Sequence, residues 1–297
     1  MKTKFKVVGI GEVLWDMLPQ GKQLGGAPAN FAYHANQLGA ESYVISAIGK
    51  DALGEEILNQ LSAYDLNLRL EKVDYPTGTV NVTVSNLGIP EYEIIKNVAW
   101  DYLELTPENI SLAQQTDAVC FGSLAQRHEV SRKAITDFIK KVPVNALKIF
   151  DINLRQNFYN KELIENSIKL SNVLKINDDE LKIVSEMFGW TGDDEKICQK
   201  LIEVYQLKVL AYTCGTKGSY LYKGSGKSFM DTPIVEVKDT VGAGDSFTAG
   251  LTTGLLENKK LEECHSRAVK ISAYVCTHFG AMPEYSGQLK QLFHSIL

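Results

Sequence analysis

Short apolar runs alternate with segments of helical spacing along most of this chain. The runs predict strands, at residues 7–10, 43–48, 118–121, 147–150, 173–176 and 209–212. Apolar residues three and four apart predict helices between them, including 130–140 and 161–170, and a last helix at 261–275. Strands that alternate with helices indicate parallel βαβ units, in which ligands bind at the carboxyl ends of the strands.

The segment 68–97 breaks this alternation. Between Thr79 and Ser85 polar residues alternate with valines, the period-2 pattern of a strand with one polar and one apolar face. A turn at 86–90 and a run at 91–98 supply a partner strand. We therefore predict an antiparallel hairpin apart from the main series, whose polar face either covers a ligand or simply faces solvent.

Composition narrows the classes of function. The 297 residues are 44% hydrophobic and 23% charged, which is typical of a globular protein with a sizeable core. A formal net charge of −5 argues against nucleic-acid binding, so an anionic ligand must be met by local donors. Scattered cysteines, no long apolar run and no secretory leader predict a reduced, cytoplasmic protein without a membrane span.

The stretch 239–247, Asp-Thr-Val-Gly-Ala-Gly-Asp-Ser-Phe, is the strongest candidate for chemistry. Apolar residues at helical spacing follow it, so residues 242–244 lie at a helix N-terminus, where free N–H groups and the helix dipole favour an anion. Asp245 then lies in the first turn, beside that anion. Alone, the pattern also fits a glycine turn before a helix whose aspartate only complements the dipole.

This nine-residue stretch resembles the C-terminal signature of the ribokinase (PfkB) family of sugar kinases. The resemblance implies that Gly242, Ala243 and Gly244 form the anion hole for the transferring phosphate. It also implies that Asp245 accepts the proton of the sugar hydroxyl. An unperturbed aspartate, with a pKa of about 3.9, is a weak base, but phosphoryl transfer needs mainly alignment and charge stabilisation.

The stretch Gly-Gly-Ala-Pro-Ala-Asn at residues 25–30 is similar to the N-terminal signature of the same family. By that resemblance Asp16, Gly26 and Asn30 hold the sugar hydroxyls, and their groups can accept from or bridge adjacent hydroxyls. Arg155 ends the run Asp-Ile-Asn-Leu-Arg, which resembles the segment near the sugar in fructokinases and 2-keto-3-deoxygluconate kinases. On their own, the two glycines also fit a turn, and the arginine fits a solvated surface residue.

Two further motifs of the family concern ATP. Asn177 and Glu180 match its Asn-x-x-Glu motif, which helps to position Mg²⁺ and phosphate, often through water. The asparagine also fits a simple helix cap. The nucleotide loop Thr-x-Gly-x-x-Gly is matched by Thr213, Gly215 and Gly218, which makes these residues candidate ATP contacts.

Weaker matches lie towards the C-terminus. His278 falls where relatives contact adenine or a monovalent cation, and Asp239 and Val241 are placed to offer carbonyl groups to such a cation, for example K⁺. The glycine-rich run 224–228 resembles a P-loop, but Leu221 stands where the first glycine of that motif belongs, and no helix follows. We predict a hairpin turn there instead.

The resemblance spans nearly the whole chain, with both end signatures in order. It implies a single domain over residues 1–297, with a ribokinase-like three-layer α/β/α sandwich, a mostly parallel central sheet and a small β-sheet lid from about 12–25 and 68–100. Such a lid excludes water from the reaction, and its exposed edge offers pairing to a second chain in a homodimer.

The implied activity is ATP- and Mg²⁺-dependent phosphorylation of a sugar hydroxyl. The runs at 21–32 and 97–101 are most similar to bacterial fructokinases, so D-fructose is the predicted substrate. The alternatives are 2-keto-3-deoxygluconate, whose carboxylate Arg155 would bind, and ribose or a nucleoside. A different class of function, a non-catalytic sugar-binding regulatory protein on the same fold, gives Asp245 no evident role.

Overall fold

The computed structural model describes residues 4–19, 21–84 and 90–294. Within these ranges the chain forms thirteen strands and ten α-helices. The strands are β1 Lys6–Ile10, β2 Leu14–Leu18, β3 Gly21–Gly25, β4 Glu41–Gly49, β5 Asn67–Val73, β6 Gly78–Val84, β7 Pro90–Ile94, β8 Ala118–Phe121, β9 Leu147–Asp151, β10 Val173–Asn177, β11 Val209–Thr213, β12 Ser219–Lys223 and β13 Gly226–Met230. The helices are α1 Ala27–Gln37, α2 Ala52–Ser62, α3 Pro107–Ala113, α4 Glu129–Lys141, α5 Lys161–Leu170, α6 Asp178–Phe188, α7 Asp194–Tyr205, α8 Ala243–Leu256, α9 Leu261–Cys276 and α10 Gly287–His294.

Nine of the strands form one large sheet, in the order β13-β12-β11-β10-β9-β8-β1-β4-β5. The strands from β11 to β5 in this order run parallel, and β12 and β13 are added antiparallel at one edge. All six apolar runs that predicted strands lie in this sheet, as β1, β4, β8, β9, β10 and β11. The predicted mostly parallel sheet is therefore confirmed.

Helices cover both faces of the large sheet. In β8, Ala118 and Cys120 pack in the apolar cluster that includes α1, α8 and α9, whereas Val119 and Phe121 pack in the cluster that includes α3 to α7. Successive side chains of a strand point to opposite faces, so a strand buried on both sides appears in the sequence as a continuous apolar run. The three-layer α/β/α architecture is confirmed.

Four strands form a second, smaller sheet in the order β3-β2-β6-β7. The hairpin predicted from the alternation between Thr79 and Ser85 is present as β6 and β7, which pair antiparallel. Its predicted turn at 86–90 lies outside the described residues, apart from Pro90 at the start of β7.

The predicted lid boundaries are wrong at one point. Residues 67–73 form β5, which pairs parallel with β4 at the edge of the large sheet rather than joining the small one. The reason is packing: Leu68 and Leu70 join an apolar cluster with Ile57 and Leu61 of α2, which lies beside β4. The small sheet is built from residues 14–25 and 78–94.

Two predictions about the C-terminal half have different outcomes. The glycine-rich run 224–228 contributes the turn and the start of β13 in an antiparallel hairpin with β12, as predicted. The helix predicted as the last is α9, but α10 follows it and packs Leu289 and Phe293 on Ile271 and Val275. Across the described ranges, no helix is both long enough and apolar enough to span a bilayer.

Candidate active site

The carboxyl ends of four parallel strands lie together at one end of the large sheet. Glu12 follows β1, residues 152–155 follow β9, and β10 and β11 end at Asn177 and Thr213. The last two residues are paired in register across the two strands. The structure thus brings together, at the end of the sheet where ligands bind in this architecture, residues that the sequence placed in separate motifs.

The turn before α8 is built so that only glycine fits at position 242. Gly242 is the N-cap residue of α8 and has a φ of 78°, in the left-handed region. A Cβ there would lie 2.7 Å from the carbonyl oxygen of Ala281. The segment after α9 therefore packs directly against the N-terminus of α8.

Free donors are present at this helix N-terminus. The N–H of Ala243 donates to the carbonyl oxygen of Thr240 at 3.2 Å, so that predicted anion-hole amide is engaged in the turn. Those of Gly244 and Asp245 donate to no acceptor within the described ranges. The N–H groups available to an anion thus extend one residue beyond the predicted segment.

Asp245 is held by a residue from the opposite end of the chain. Asn30, in the first turns of α1, donates its Nδ2–H to Asp245 Oδ2 at 2.7 Å, across 215 positions of sequence. The asparagine is buried, and its Oδ1 accepts no hydrogen bond from the described residues. A buried acceptor without a donor stands ready for a hydroxyl group, since such a group is costly to leave unpaired.

The surroundings of Asp245 favour its action as a base. Burial, and after it the charge of the neighbouring Asp151, raise the pKa of its carboxyl to a net value of about 6. The hydrogen bond from Asn30 and the charges of Lys175 and Arg155 lower the pKa and keep it within this range. A carboxylate with a pKa near 6 is a stronger base than an ordinary aspartate, yet it is ionised at neutral pH.

The two glycines before α1 are explained by close approach. A Cβ on Gly25 would lie 2.6 Å from Asp16 Oδ2, and one on Gly26, whose φ is 117°, would lie 2.4 Å from the carbonyl oxygen of Glu12. The carboxyl of Asp16, on β2 of the small sheet, thus lies beside the start of α1. Burial raises the pKa of Asp16, and the charge of Arg155 lowers it.

Glu12 is a site residue that the sequence analysis missed. It is 2% exposed, and its Oε2 accepts no hydrogen bond from the described part of the chain. Burial raises its pKa to about 7; Asp245 contributes to the rise, and Arg155 opposes it. A glutamate two residues after the end of a buried strand was the available signal. Arg155 itself is exposed and acts on the pKa of three carboxyls, those of Glu12, Asp16 and Asp245.

Asn177 and Glu180 form a reciprocal cap at the start of α6. Asn177 Oδ1 accepts from the N–H of Glu180 at 2.8 Å, and Glu180 Oε2 accepts from the N–H of Asn177 at 2.9 Å. Glu180 Oε1 also accepts from the N–H of Leu154, at 3.1 Å. The helix cap predicted as the alternative is therefore present, and it holds the carboxylate of Glu180 in one orientation.

The predicted nucleotide loop follows β11. Thr213 pairs with Ser219 of β12, and Gly215 accepts a hydrogen bond from Thr232 Oγ1 at its carbonyl oxygen. The neighbouring segments expose large apolar side chains that the sequence analysis did not single out. These are Ile234, Val237, Val241 and Phe279.

The C-terminal candidates lie together. The carboxylate of Asp239 accepts from the N–H groups of Val241 and Gly280, each at 3.0 Å. His278 directs its Nδ1 to the carbonyl oxygen of Tyr274, at 3.0 Å. The two carboxylate oxygens of Asp239 thus hold the segment before α8 against Gly280. The described ranges contain no cluster of three or more acidic, histidine or cysteine side chains that could hold a metal ion.

Comparison with known proteins places these features in a family. Residues 18–286 match the model of the pfkB family carbohydrate kinase. A protein from Pyrococcus horikoshii, named as an uncharacterized sugar kinase, is 30% identical over 277 residues, which cover 86% of this chain and 84% of the relative. Its crystal structure in complex with ATP superposes with a TM-score of 0.79, at 27% identity over 94% of each chain.

Two further relatives differ in the acceptor that their names record. An ATP-dependent 6-phosphofructokinase from Thermoanaerobacterium thermosaccharolyticum is 27% identical over 297 residues, covering 94% of this chain and 90% of its own. A fructokinase from Escherichia coli is 28% identical over 298 residues, covering 93% of this chain and 95% of its own.

Proposed function

The chain belongs to the pfkB family of carbohydrate kinases, and from this premise we propose that it transfers the γ-phosphoryl group of ATP to a hydroxyl of D-fructose. The observation that carries the proposal is the hydrogen bond between Asn30 and Asp245. This bond holds Asp245, a base with a raised pKa, next to Asn30, whose Oδ1 is free to accept a hydrogen bond from a hydroxyl. Both lie beside the free N–H donors of α8. Family membership leaves the non-catalytic alternative without support.

In this mechanism Asp245 takes the proton of the acceptor hydroxyl as that oxygen forms its bond to the γ-phosphorus and the bond to ADP breaks. The N–H groups of Gly244 and Asp245, with the positive end of the α8 dipole, bind the phosphoryl oxygens. Asn30 Oδ1, Glu12 Oε2 and the Asp16 carboxylate accept hydrogen bonds from the other sugar hydroxyls. The small sheet covers the sugar and excludes water.

On the nucleotide side, Thr213, Gly215 and Gly218 contact ATP, while His278 and the exposed apolar residues around Phe279 receive the adenine ring. Glu180 and Asn177 fit a magnesium ion that the nucleotide holds, because Mg²⁺ keeps several waters and needs only one or two carboxylates besides phosphates. When bound, that ion neutralises phosphate charge. Carbonyl groups of residues 239 and 241 suit a monovalent cation such as K⁺.

Fructose is preferred because residues 21–32 and 97–101 are most similar to bacterial fructokinases, and a named fructokinase is 28% identical to the chain. One observation favours an acidic acceptor instead. Arg155 is exposed, its one hydrogen-bond acceptor within the described ranges is the carbonyl oxygen of Leu154, and it lies near three carboxyls. A sugar carboxylate, as in 2-keto-3-deoxygluconate, or a sugar phosphate would pair with it.

A substrate panel decides between these acceptors. ADP release is measured with ATP and Mg²⁺ for D-fructose, fructose 6-phosphate, 2-keto-3-deoxygluconate, ribose and a nucleoside. We expect the highest kcat/KM for fructose, by at least about tenfold, which corresponds to about 1.4 kcal/mol of transition-state binding. Turnover restricted to an acidic acceptor would remove fructose, and a loss of that turnover in Arg155→Met would then identify Arg155 as the residue that binds the acid group.

The role of Asp245 is tested by Asp245→Asn. We expect kcat to fall by at least about 10², since the amide cannot take the proton, while calorimetry shows sugar affinity within a few-fold of the parent. Asp74→Asn, at a highly exposed aspartate, is the control and should leave kcat unchanged. Undiminished turnover in the Asp245 variant would contradict the mechanism.

Assembly through the small sheet is a separate prediction. Its outer strands, β3 and β7, each have one side without a partner strand among the described residues. Unpaired strand edges favour pairing with another chain, so a homodimer through this sheet is expected. Light scattering on the purified protein tests it, and a monomer at micromolar concentration would contradict it.

A further inference from the structure

Lys175 is a buried lysine at the candidate site to which neither the motifs nor the proposed mechanism gives a role. It lies in β10 within the apolar run Val-Leu-Lys-Ile and is 8% exposed. Its Nζ forms an ion pair with Asp151 Oδ1 at 3.0 Å. A buried charge needs such a partner, because removal from water is costly.

The ammonium group lies against the N-terminus of α8. A Cβ built on Gly244 would lie 3.0 Å from Lys175 Nζ, so the group stands next to the backbone whose N–H is free. Thr248 Oγ1 donates to Asp151 Oδ2 at 2.8 Å and lies 3.0 Å from the carbonyl oxygen of Gly244. This arrangement ties β9, β10 and the first turn of α8 together around the lysine.

Charge balance shows what the site needs. Its carboxyl groups outnumber its cations even before a triphosphate enters: they belong to Glu12, Asp16, Asp151, Glu180 and Asp245. The cations beside them are Arg155, which is exposed, and Lys175, which is buried. Solvent screens an exposed charge strongly and a buried one much less, so the lysine has the larger effect on a phosphoryl group at α8.

We propose that Lys175 supplies the buried positive charge that stabilises the phosphoryl group during transfer at the N-terminus of α8. The inference rests on the proposed function, since it assumes that Gly244 borders the transferring group. The competing explanation is structural: Lys175 serves only to neutralise the buried Asp151. The two differ in what happens when the aspartate charge is removed as well.

A cycle of three variants separates the explanations: Lys175→Met, Asp151→Asn and the double variant. If the lysine stabilises the phosphoryl group, Lys175→Met lowers kcat by at least about tenfold with the KM for sugar changed less than threefold. Asp151→Asn, which keeps the ammonium, then turns over at least about tenfold faster than the double variant. Equal kcat in those two variants, or recovery of the double variant to within threefold of the parent, would overturn the proposal.

Folding and titration are controlled in the same experiment. Thermal melting is recorded for each variant. The double variant removes both members of the ion pair, so its comparison with Asp151→Asn remains available even if Lys175→Met unfolds. Rates are compared at about pH 8.5, where Asp245 is ionised in every variant, so that its titration does not affect the comparison. The groups that influence this titration are Asp151, Lys175, Arg155, Glu12 and the hydrogen bond from Asn30.

Two further variants complete the design. Lys148→Met, at a partly buried lysine near the start of β9, is the matched control and should keep kcat within twofold of the parent. Asp245→Asn is measured alongside. If the parent protein phosphorylates no sugar, the proposed function is wrong; if Asp245→Asn retains turnover, the assignment of Asp245 as the base is wrong. If that variant loses turnover while the lysine variants do not, only the inference about Lys175 fails.

Discussion

The hydrogen bond between Asn30 and Asp245 predicts a measurable shift in the pH dependence of catalysis. In Asn30→Ala the carboxylate loses the donor that lowers its pKa. A hydrogen bond to a charged group contributes about 1.5–3 kcal/mol, and about 1.4 kcal/mol corresponds to one pKa unit. The acid limb of activity, expected at or above pH 6 in the parent, should therefore move up by roughly 1–2 pH units.

The assay is kcat/KM for the sugar at saturating ATP and Mg²⁺, from about pH 5 to 9. The nucleotide titrates equally in both proteins, so the difference between their limbs belongs to the enzyme. Loss of Asn30 Oδ1 lowers kcat/KM at every pH, and only the position of the limb is diagnostic. Asn36→Ala, at a half-buried asparagine on the same helix that bonds to the carbonyl oxygen of Asp65, is the control.

Glu12 titrates in the same range, because burial raises its pKa to about 7. Both profiles are therefore repeated in a Glu12→Gln background, where one ionisation is removed. A limb that moves by less than about 0.3 units on loss of Asn30, in both backgrounds, would refute the reasoning. The loss of activity at low pH would then report the protonation of a group whose pKa does not depend on the hydrogen bond from Asn30.

Two predictions concern the scaffold. Arg127 and Asp101 form a bidentate, almost wholly buried ion pair with 2.8 Å contacts. Arg127→Met should therefore lower the free energy of unfolding, measured in urea, by about 3–5 kcal/mol. The control is Lys133→Met, at an exposed lysine, which should lower it by less than about 0.5 kcal/mol. A loss of unfolding free energy below about 1 kcal/mol in Arg127→Met would show that Arg127 and Asp101 do not form a buried ion pair. Gly242→Ala should reduce kcat and stability together, because the added Cβ would lie 2.7 Å from the carbonyl oxygen of Ala281. The control is Gly224→Ala, at a glycine with a φ of 57° and no atom within 4 Å of the added Cβ. It should cost only about 1–2 kcal/mol of backbone strain and leave kcat unchanged. Equal kcat in both alanine variants would contradict the close approach.

The fold was predictable where burial is two-sided. Strands such as β8 and β11 are covered by helices on both faces, so their sequences are continuous apolar runs that stand out from the helices. The period-2 alternation of β6 was equally informative about its conformation. It did not reveal which sheet a neighbouring strand joins, because β5 is placed by the packing of Leu68 and Leu70 on α2.

The candidate site was predictable only as separate motifs. Gly26, Asn30, Gly242 and Asp245 stand in two signatures at opposite ends of the chain, and the sequence alone carries no record of the 2.7 Å contact that joins them. Lys175 was missed although a signal existed. A lysine inside an apolar strand must have a buried partner, and that requirement distinguishes it from the many lysines on helix surfaces.

The cations of the site have two consequences that act in the same direction. A triphosphate beside Asp245 raises the pKa of that carboxyl and favours its protonated, inactive form. Lys175 and Arg155 oppose this rise, in addition to any stabilisation of the phosphoryl group itself. Substitution of Lys175 by methionine should therefore reduce the rate more at about pH 6 than at about pH 8.5, since only at the lower pH does the base also lose ionisation. A loss of the same size at both values would mean that the lysine acts on the phosphoryl group alone.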